Sequence, residues 1–198
     1  MNRIKIVLLG EMNTGKSCLV HYFLNDTFEQ YSSPTIGTSF TSKNLEKNGK
    51  VLCLDLWDTA GAERFRAFSP LYYRDAKIIF LCYDITEHRT FETLQKYWLP
   101  EILANCNTED PHIYIIGNKC DLEEHRMVER EVSAIITKDS GFNNLFFFET
   151  SAKEGTNMEE LFDHIFTNQI SSPVTRTVLA LKSVETGYFD YLNPANYC

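Results

Sequence analysis

No two of the six cysteines in this 198-residue chain stand in CxxC spacing. They are scattered at positions 18, 53, 82, 106, 120 and 198, which excludes the usual zinc patterns and suits a reducing compartment. A basic cluster is also missing. With 19 Lys and Arg against 27 Asp and Glu and a net charge of −8, the chain lacks the surface that neutralises nucleic-acid phosphates, so no nucleic-acid partner is expected. No apolar run reaches the roughly 18 residues of a membrane span. No signal peptide is read at the start, where Arg3 and Lys5 alternate with apolar residues. Internal repeats are absent. The expectation is a soluble, cytosolic protein whose Asn25-Asp26-Thr27 triplet stays unglycosylated. An apolar content of 43% suits one folded core. Cys18, Cys53 and Cys82 lie in apolar runs and read as buried structural thiols.

What is present begins at Gly10-Glu11-Met12-Asn13-Thr14-Gly15-Lys16-Ser17. The apolar run Ile4 to Leu9 before it reads as a buried strand, and Ser17 to Leu24 after it as a helix. Strand, GxxxxGK[ST], helix is the setting of a phosphate-binding loop. Glycines let the loop turn its N–H groups toward phosphate oxygens, and the helix points its positive end at the same anion. Lys16 would supply a point charge to the β- and γ-phosphates, and the Ser17 hydroxyl a Mg²⁺ ligand.

Further along, Phe40 to Glu46 and Val51 to Trp57 read as strands joined by a tight Asn48-Gly49 turn. Ile78 to Tyr83, His112 to Gly117 and Leu145 to Glu149 are the next buried strands. Phe91, Leu94, Trp98, Ile102 and Leu103 mark an amphipathic helix from Thr90 to Asn105, with Pro100 expected to kink or interrupt it. Val132, Ile135 and Ile136 mark a helix from about 129 to 138. Met158, Leu161, Phe162, Ile165 and Phe166 mark one from Asn157 to Gln169. Strands alternating with helices predict an α/β fold: six strands, mostly parallel, one antiparallel edge strand, and helices on both faces. Ligands of such sheets bind beyond the carboxyl ends of the strands. The phosphate loop, Asp58, Asn118 and Ser151 each follow a strand and should converge there.

Asp58 in Trp57-Asp58-Thr59-Ala60-Gly61 can hold Mg²⁺ through water, and Gly61 lets a backbone N–H approach the γ-phosphate. In Asn118-Lys119-Cys120-Asp121 the Asp121 carboxylate can accept from the N1–H and exocyclic amine of guanine. Adenine offers no such pair, so an ATP-dependent kinase or ATPase is contradicted. Asn118 would tie this segment to neighbouring loops, and the Lys119 stem would lie along the base or ribose. Thr150-Ser151-Ala152-Lys153 closes the set, with a backbone N–H near Ala152 aimed at the guanine O6.

From about Arg3 to Gln169 the chain resembles a small GTPase of the Ras superfamily, most of all its Rab branch. The resemblance rests on these motifs together with Pro34-Thr35-Ile36-Gly37, Phe40, Ala62-Glu63-Arg64-Phe65-Arg66, Leu71-Tyr72-Tyr73-Arg74-Asp75-Ala76 and Tyr83-Asp84-Ile85-Thr86. It implies a P-loop NTPase of the Ras-like G-domain type over residues 1–172, a monomer binding GTP or GDP with Mg²⁺. The implied nucleotide-holding residues are Asn13, Thr14, Gly15, Lys16, Ser17, Cys18, Phe28 against the guanine ring, Thr35, Gly61, Asn118, Lys119, Asp121, Ser151, Ala152 and Lys153. The metal would be held by Ser17, Thr35 and Asp58. Thr35 and Gly61 would tether two loops, about 26–40 and 58–76, that loosen when the γ-phosphate leaves. Such a switch works in vesicle or membrane traffic with effectors, an exchange factor and an activating protein. Phe40, Trp57, Phe65 and Tyr73 would form an exposed effector-facing patch, or Trp57 would pack on the hairpin instead.

The chain departs from this pattern in three places besides Ser39, which stands where an Asp is common before the aromatic and touches effector choice more than nucleotide. Lys16, Thr35 and the position of Ala62 are where hydrolysis is helped, and Ala62 replaces the usual glutamine that orients the attacking water. Met12 occupies a place usually small, near where a stimulating arginine docks. Slow hydrolysis and a bias toward the GTP state are expected; the alternative is a hydrolysis-deficient GTP-binding scaffold held in its effector-binding state. The third departure is the tail, 173–198, which is non-basic and ends in one cysteine. A lipid on Cys198 would give weak, reversible association with the cytosolic face of endomembranes; otherwise Cys198 stays unmodified. Val174, Val178 and Leu181, with Tyr188, Phe189, Tyr191 and Leu192, make the tail apolar enough to dock on the domain or a partner.

Overall fold

A computed structural model of the chain describes residues 2–29, 35, 37–61, 69–106, 108, 111–132 and 144–170. Pro34, Ile36, the segment 62–68 with Ala62 and Phe65, most of the helix expected over 129–138, and the whole tail with Cys198 lie outside the described residues.

The first strand, β1 (Asn2–Leu9), shows why the sheet is buried on both sides. Ile4, Ile6 and Leu8 fall on one face and Val7 and Leu9 on the other, all at 1% exposure or less, the period-two alternation of a strand. Helix α1 (Lys16–Asn25) follows, then β2 (Thr38–Lys47) and β3 (Lys50–Thr59), joined by a turn in which Asn48 and Gly49 both take positive φ. A short α2 (Ser69–Tyr73) leads to β4 (Ile78–Asp84), buried at every position. Helix α3 (His88–Thr93), a π turn (Leu94–Trp98) and α4 (Leu99–Asn105) form one continuous helical rod. Then come β5 (His112–Asn118), a 3-10 turn (Cys120–His125), β6 (Leu145–Thr150) and α5 (Met158–Ile170).

The sheet order is β2-β3-β1-β4-β5-β6. Among the described residues only β2 and β3 run antiparallel, in register from Thr38 opposite Thr59 to Lys47 opposite Lys50. The expected fold class stands. One apolar layer joins α1 and α5 to the sheet through Leu19, Phe23, Leu161, Phe162 and Ile165, with the Phe23 and Phe162 rings stacked at 3.7 Å. The other layer seats the helical rod through Phe91, Leu94, Trp98 and Ile102 against Ile79, Leu81, Ile113 and Ile115.

The helix is interrupted at Pro100 as expected, with a new α-helical segment beginning at Leu99. The distortion comes one turn earlier, where the Leu99 N–H reaches back five residues to the Leu94 carbonyl, widening the turn that a proline ring would otherwise crowd. Three other expectations need correcting. Leu103 is 38% exposed rather than part of the apolar face, and Leu99, 8% exposed, is buried instead. Cys18 is half-buried at the edge of the first apolar layer, while Cys53 and Cys82 are buried. Burial pushes the Cys82 thiol up to about 12, an unreactive thiol at neutral pH. Tyr73 is 1% exposed, not an effector-facing aromatic, since its ring fills the layer beneath the helical rod and its hydroxyl donates to Glu101 at 2.8 Å.

Candidate functional site

Parallel strands that end on the same side bring their following loops together. After β1, Gly10 takes φ +142 and lies so close to β4 that a Cβ there would sit 2.2 Å from the Cys82 carbonyl oxygen. Gly15 takes φ +87, and its missing Cβ would meet the Asn118 amide nitrogen at 2.1 Å. The loop is therefore pinned against both the strand beside it and the end of β5. Helix α1 starts at Gly15 without a side-chain cap and without an acidic residue in its first turn. Its first N–H groups and the positive end of its dipole are left for an anion.

Lys16 is 5% exposed and donates to the Gly10 and Glu11 carbonyls at 3.0 and 2.7 Å. The ammonium is thereby held arched over the loop. Burial pushes its pKa down, against the opposing pull of Cys82, Asp58 and Glu11; a phosphate placed beside it would favour the charged form.

Three oxygens meet beside it. The Ser17 hydroxyl donates to Asp58 Oδ2 at 2.6 Å and lies 2.9 Å from Thr35 Oγ1, which itself reaches Asp58 Oδ2 at 3.3 Å. Asp58 is 5% exposed, and its other oxygen, Oδ1, has no hydrogen-bond partner among the described residues. Burial pushes this carboxyl up, opposed by the Ser17 hydrogen bond, the Lys16 charge and Thr35. An all-oxygen set with a buried, unpartnered carboxylate oxygen fits a hard divalent cation such as Mg²⁺. Asp58 lies within β3, near its end, rather than after it.

Two loop roots are tied here. The Ala60 N–H donates to the Gly37 carbonyl at 2.8 Å. A Cβ at Gly61 would come within 2.5 Å of Glu11 and of the Met12 nitrogen, so only glycine lets this segment lie on the phosphate loop. Met12, 53% exposed, stands at that contact. Asn13 is exposed with φ +65, Thr14 is fully buried, and Phe28 is 37% exposed.

At the other end, Asn118 is the last residue of β5. Its amide donates to the Thr14 carbonyl at 2.9 Å, and its Oδ1 accepts from Thr150 Oγ1 and the Ala152 N–H, both at 3.3 Å. One side chain thus joins three loops. The Ala152 N–H is thus one of the donors that Asn118 takes up. Asp121, its side chain 4% exposed, accepts from Ser151 Oγ at 2.6 Å and lies 3.8 Å from Lys153 Nζ. Lys119 takes φ +68, and its ammonium pairs with Asp84 Oδ2 at 2.5 Å.

Asp84 was not singled out from sequence as a site residue. Its place opposite Asn118 in the β4–β5 register is what brings it here, and only strand pairing reveals that. Trp57 is half-buried, 5.1 Å from the Phe40 ring and 5.2 Å from Lys5 Nζ; Phe40 is 54% exposed. Of the two readings for Trp57, the structure bears out packing on the hairpin.

A sequence model of the Ras family matches residues 5–171. The Ras-related protein RABA5b of Arabidopsis thaliana is 41% identical over 175 residues, 88% of this chain and 78% of its own length. Ras-related protein Rab-13 of Canis lupus familiaris is 38% identical over 161 residues, covering 81% of this chain and 77% of its own. Ras-related protein Rab-7a of Dictyostelium discoideum is 37% identical over 170 residues, covering 84% and 82%.

Proposed function

Since the chain belongs to the Ras family, and to its Rab branch of GTP-hydrolysing small GTPases, we propose that it is a membrane-traffic switch in which GTP is held firmly and hydrolysed slowly. The observation that carries this reading is the meeting of Ser17, Thr35 and Asp58 within 3.3 Å of one another. A threonine from a loop remote in sequence there joins the phosphate-loop serine and a buried carboxylate. That is the contact a γ-phosphate and its metal would reinforce and phosphate loss would weaken.

In this reading Lys16 and the N-terminus of α1 hold the β- and γ-phosphates, with Asn13, Thr14 and Cys18 completing the loop's grip. A bound Mg²⁺ would supply positive charge against the phosphates. Ser17, Thr35 and Asp58 supply its protein oxygens. Gly61 presents a backbone N–H to the γ-phosphate. Asp121, oriented by Ser151 and near Lys153, reads the guanine edge, while Phe28 and the Lys119 stem flank the ring. A single lipid on Cys198 would give weak, peripheral association with the cytosolic face of membranes, and an unmodified Cys198 would give none.

Slow turnover rests on Ala62 and Met12. A methyl group neither donates to nor accepts from the attacking water. An exposed Met12 at the Gly61 contact narrows the approach of a stimulating arginine, which is worth roughly 10³–10⁵ in rate. Single-turnover hydrolysis should show Ala62→Gln at least about tenfold faster than wild type, against an intrinsic rate in this class on the order of 10⁻⁴ s⁻¹. Equal or slower hydrolysis by the glutamine variant would sink the reading. A second reading, a GTP-binding scaffold that hardly hydrolyses, is favoured by the same Met12 exposure. The nucleotide released from purified protein separates them: GDP marks a working switch, and GTP that persists for hours marks the scaffold.

A further inference from the structure

Arg126 stands in none of the motifs above, yet every N–H of its guanidinium has an acceptor. Nε donates to Glu123 Oε1 and Nη2 to Glu123 Oε2, both at 2.7 Å. Nη1 donates to Glu149 Oε1 at 2.7 Å and to the Val128 carbonyl at 2.8 Å, and Nη2 to Glu149 Oε2 at 3.0 Å. The two carboxylates differ. The Glu123 side chain is 66% exposed and that of Glu149 only 7%. A screened surface pair holds little in place; a two-pronged fork on a buried carboxylate fixes distance and orientation together.

What the fork joins is specific. Arg126 closes the 3-10 segment that begins at Cys120 and carries Asp121. Glu149 immediately precedes Thr150 and Ser151, whose hydroxyls bond Asn118 and Asp121. The β5–β6 ladder ends where Asn118 faces Thr150. Beyond that register no backbone ladder keeps the Asp121 segment against the Ser151 segment, and side chains must. Arg130, 4.0 Å from Glu149 Oε2 and 65% exposed, lies too far to take over the fork.

We propose that Arg126 is a positioning residue for guanine recognition: its fork on Glu149 locks the Asp121 segment to the Ser151 segment and so sets both the lifetime of the bound nucleotide and the discrimination of its base. The proposal rests on Asp121 reading guanine. A carboxylate that must meet both the N1–H and the exocyclic amine tolerates little displacement, and inosine nucleotides, which lack that amine, report directly on the alignment.

The test uses the full chain with Mg²⁺. It measures dissociation of fluorescently labelled GDP, and competition by GDP against IDP, for wild type, Arg126→Met, Arg126→Lys and Glu123→Gln, with thermal unfolding alongside. In Arg126→Met the GDP off-rate should rise about tenfold and the GDP-over-IDP preference should fall by about the same factor. Glu123→Gln should stay within about twofold of wild type in both, because its pair is solvent-exposed. If Arg126→Met does not fold, Arg126→Lys carries the test: it keeps the charge but loses the fork, so both readouts should move the same way, by about threefold. An unchanged preference in the folded Arg126 variant, even with faster release of GDP and IDP alike, would make Arg126 merely structural and overturn the proposal. A wild-type protein that does not prefer GDP over IDP would overturn the guanine reading of Asp121 first and this proposal with it.

Discussion

At Gly15 the backbone conformation and the space above it impose the same requirement. The residue takes φ +87, and a Cβ would lie 2.1 Å from the Asn118 amide nitrogen. Gly15→Ala therefore carries left-handed strain and also pushes Asn118 off the Thr14 carbonyl, undoing the tie between the phosphate and base ends of the site. Nucleotide affinity should fall at least about tenfold, measured by equilibrium titration with labelled GDP. Gly49 supplies the control. It also takes positive φ, at +70, but nothing lies within 4 Å of its added Cβ. Gly49→Ala should cost about 1 kcal/mol of folding stability and leave nucleotide affinity unchanged. Equal losses of affinity in both variants would show that backbone strain alone, not contact with Asn118, accounts for Gly15.

The rod formed by α3, the π turn and α4 shows how an element absorbs a local conflict. A proline in the middle of a regular helix costs about 3 kcal/mol, by removing an N–H and crowding the carbonyl one turn back. Here the turn before Pro100 closes through the Leu99 to Leu94 bond, and Pro100 becomes the second residue of a fresh α-helical segment, a position where its missing N–H is tolerated. Pro100→Ala should thus gain less than about 1 kcal/mol in chemical denaturation rather than the full helix-interior penalty. A gain near 3 kcal/mol would mean that the π turn does not relieve the clash. Leu103 is exposed while Phe91, Leu94, Trp98 and Ile102 are buried. Ile102 and Leu103 are sequence neighbours, about 100° apart around any α-helix, so a narrow apolar face takes one and leaves the other outside.

Across the whole molecule, binding should be felt as stability, since the site closes only when β1, β3, β5 and β6 are assembled. Ligand that binds the folded chain alone, at about a thousand times its Kd, adds about 4 kcal/mol, or roughly 10 °C in Tm at this size. GTP with Mg²⁺ should produce a shift of that order by scanning calorimetry, and chelating the metal should remove a large part of it. A Tm that ignores the chelator would rule out Ser17, Thr35 and Asp58 as the metal's protein ligands.

Much of this was legible in the residues. The phosphate loop, the strand alternation and the Asn118 to Asp121 motif are local patterns, because backbone conformation, period-two burial and loop chemistry act over a few neighbouring residues. The sequence by itself determined an α/β chain with a phosphate loop and the donors and acceptors suited to a guanine nucleotide. Only the tertiary structure decided that Tyr73 is buried against Glu101, that the Ala152 N–H turns to Asn118, that Asp84 pairs with Lys119, and that Arg126 joins Glu123 to Glu149. Those contacts depend on which strand lies beside which and in what register, and that is fixed by the packing of two apolar layers on a sheet rather than by any residue's sequence neighbours.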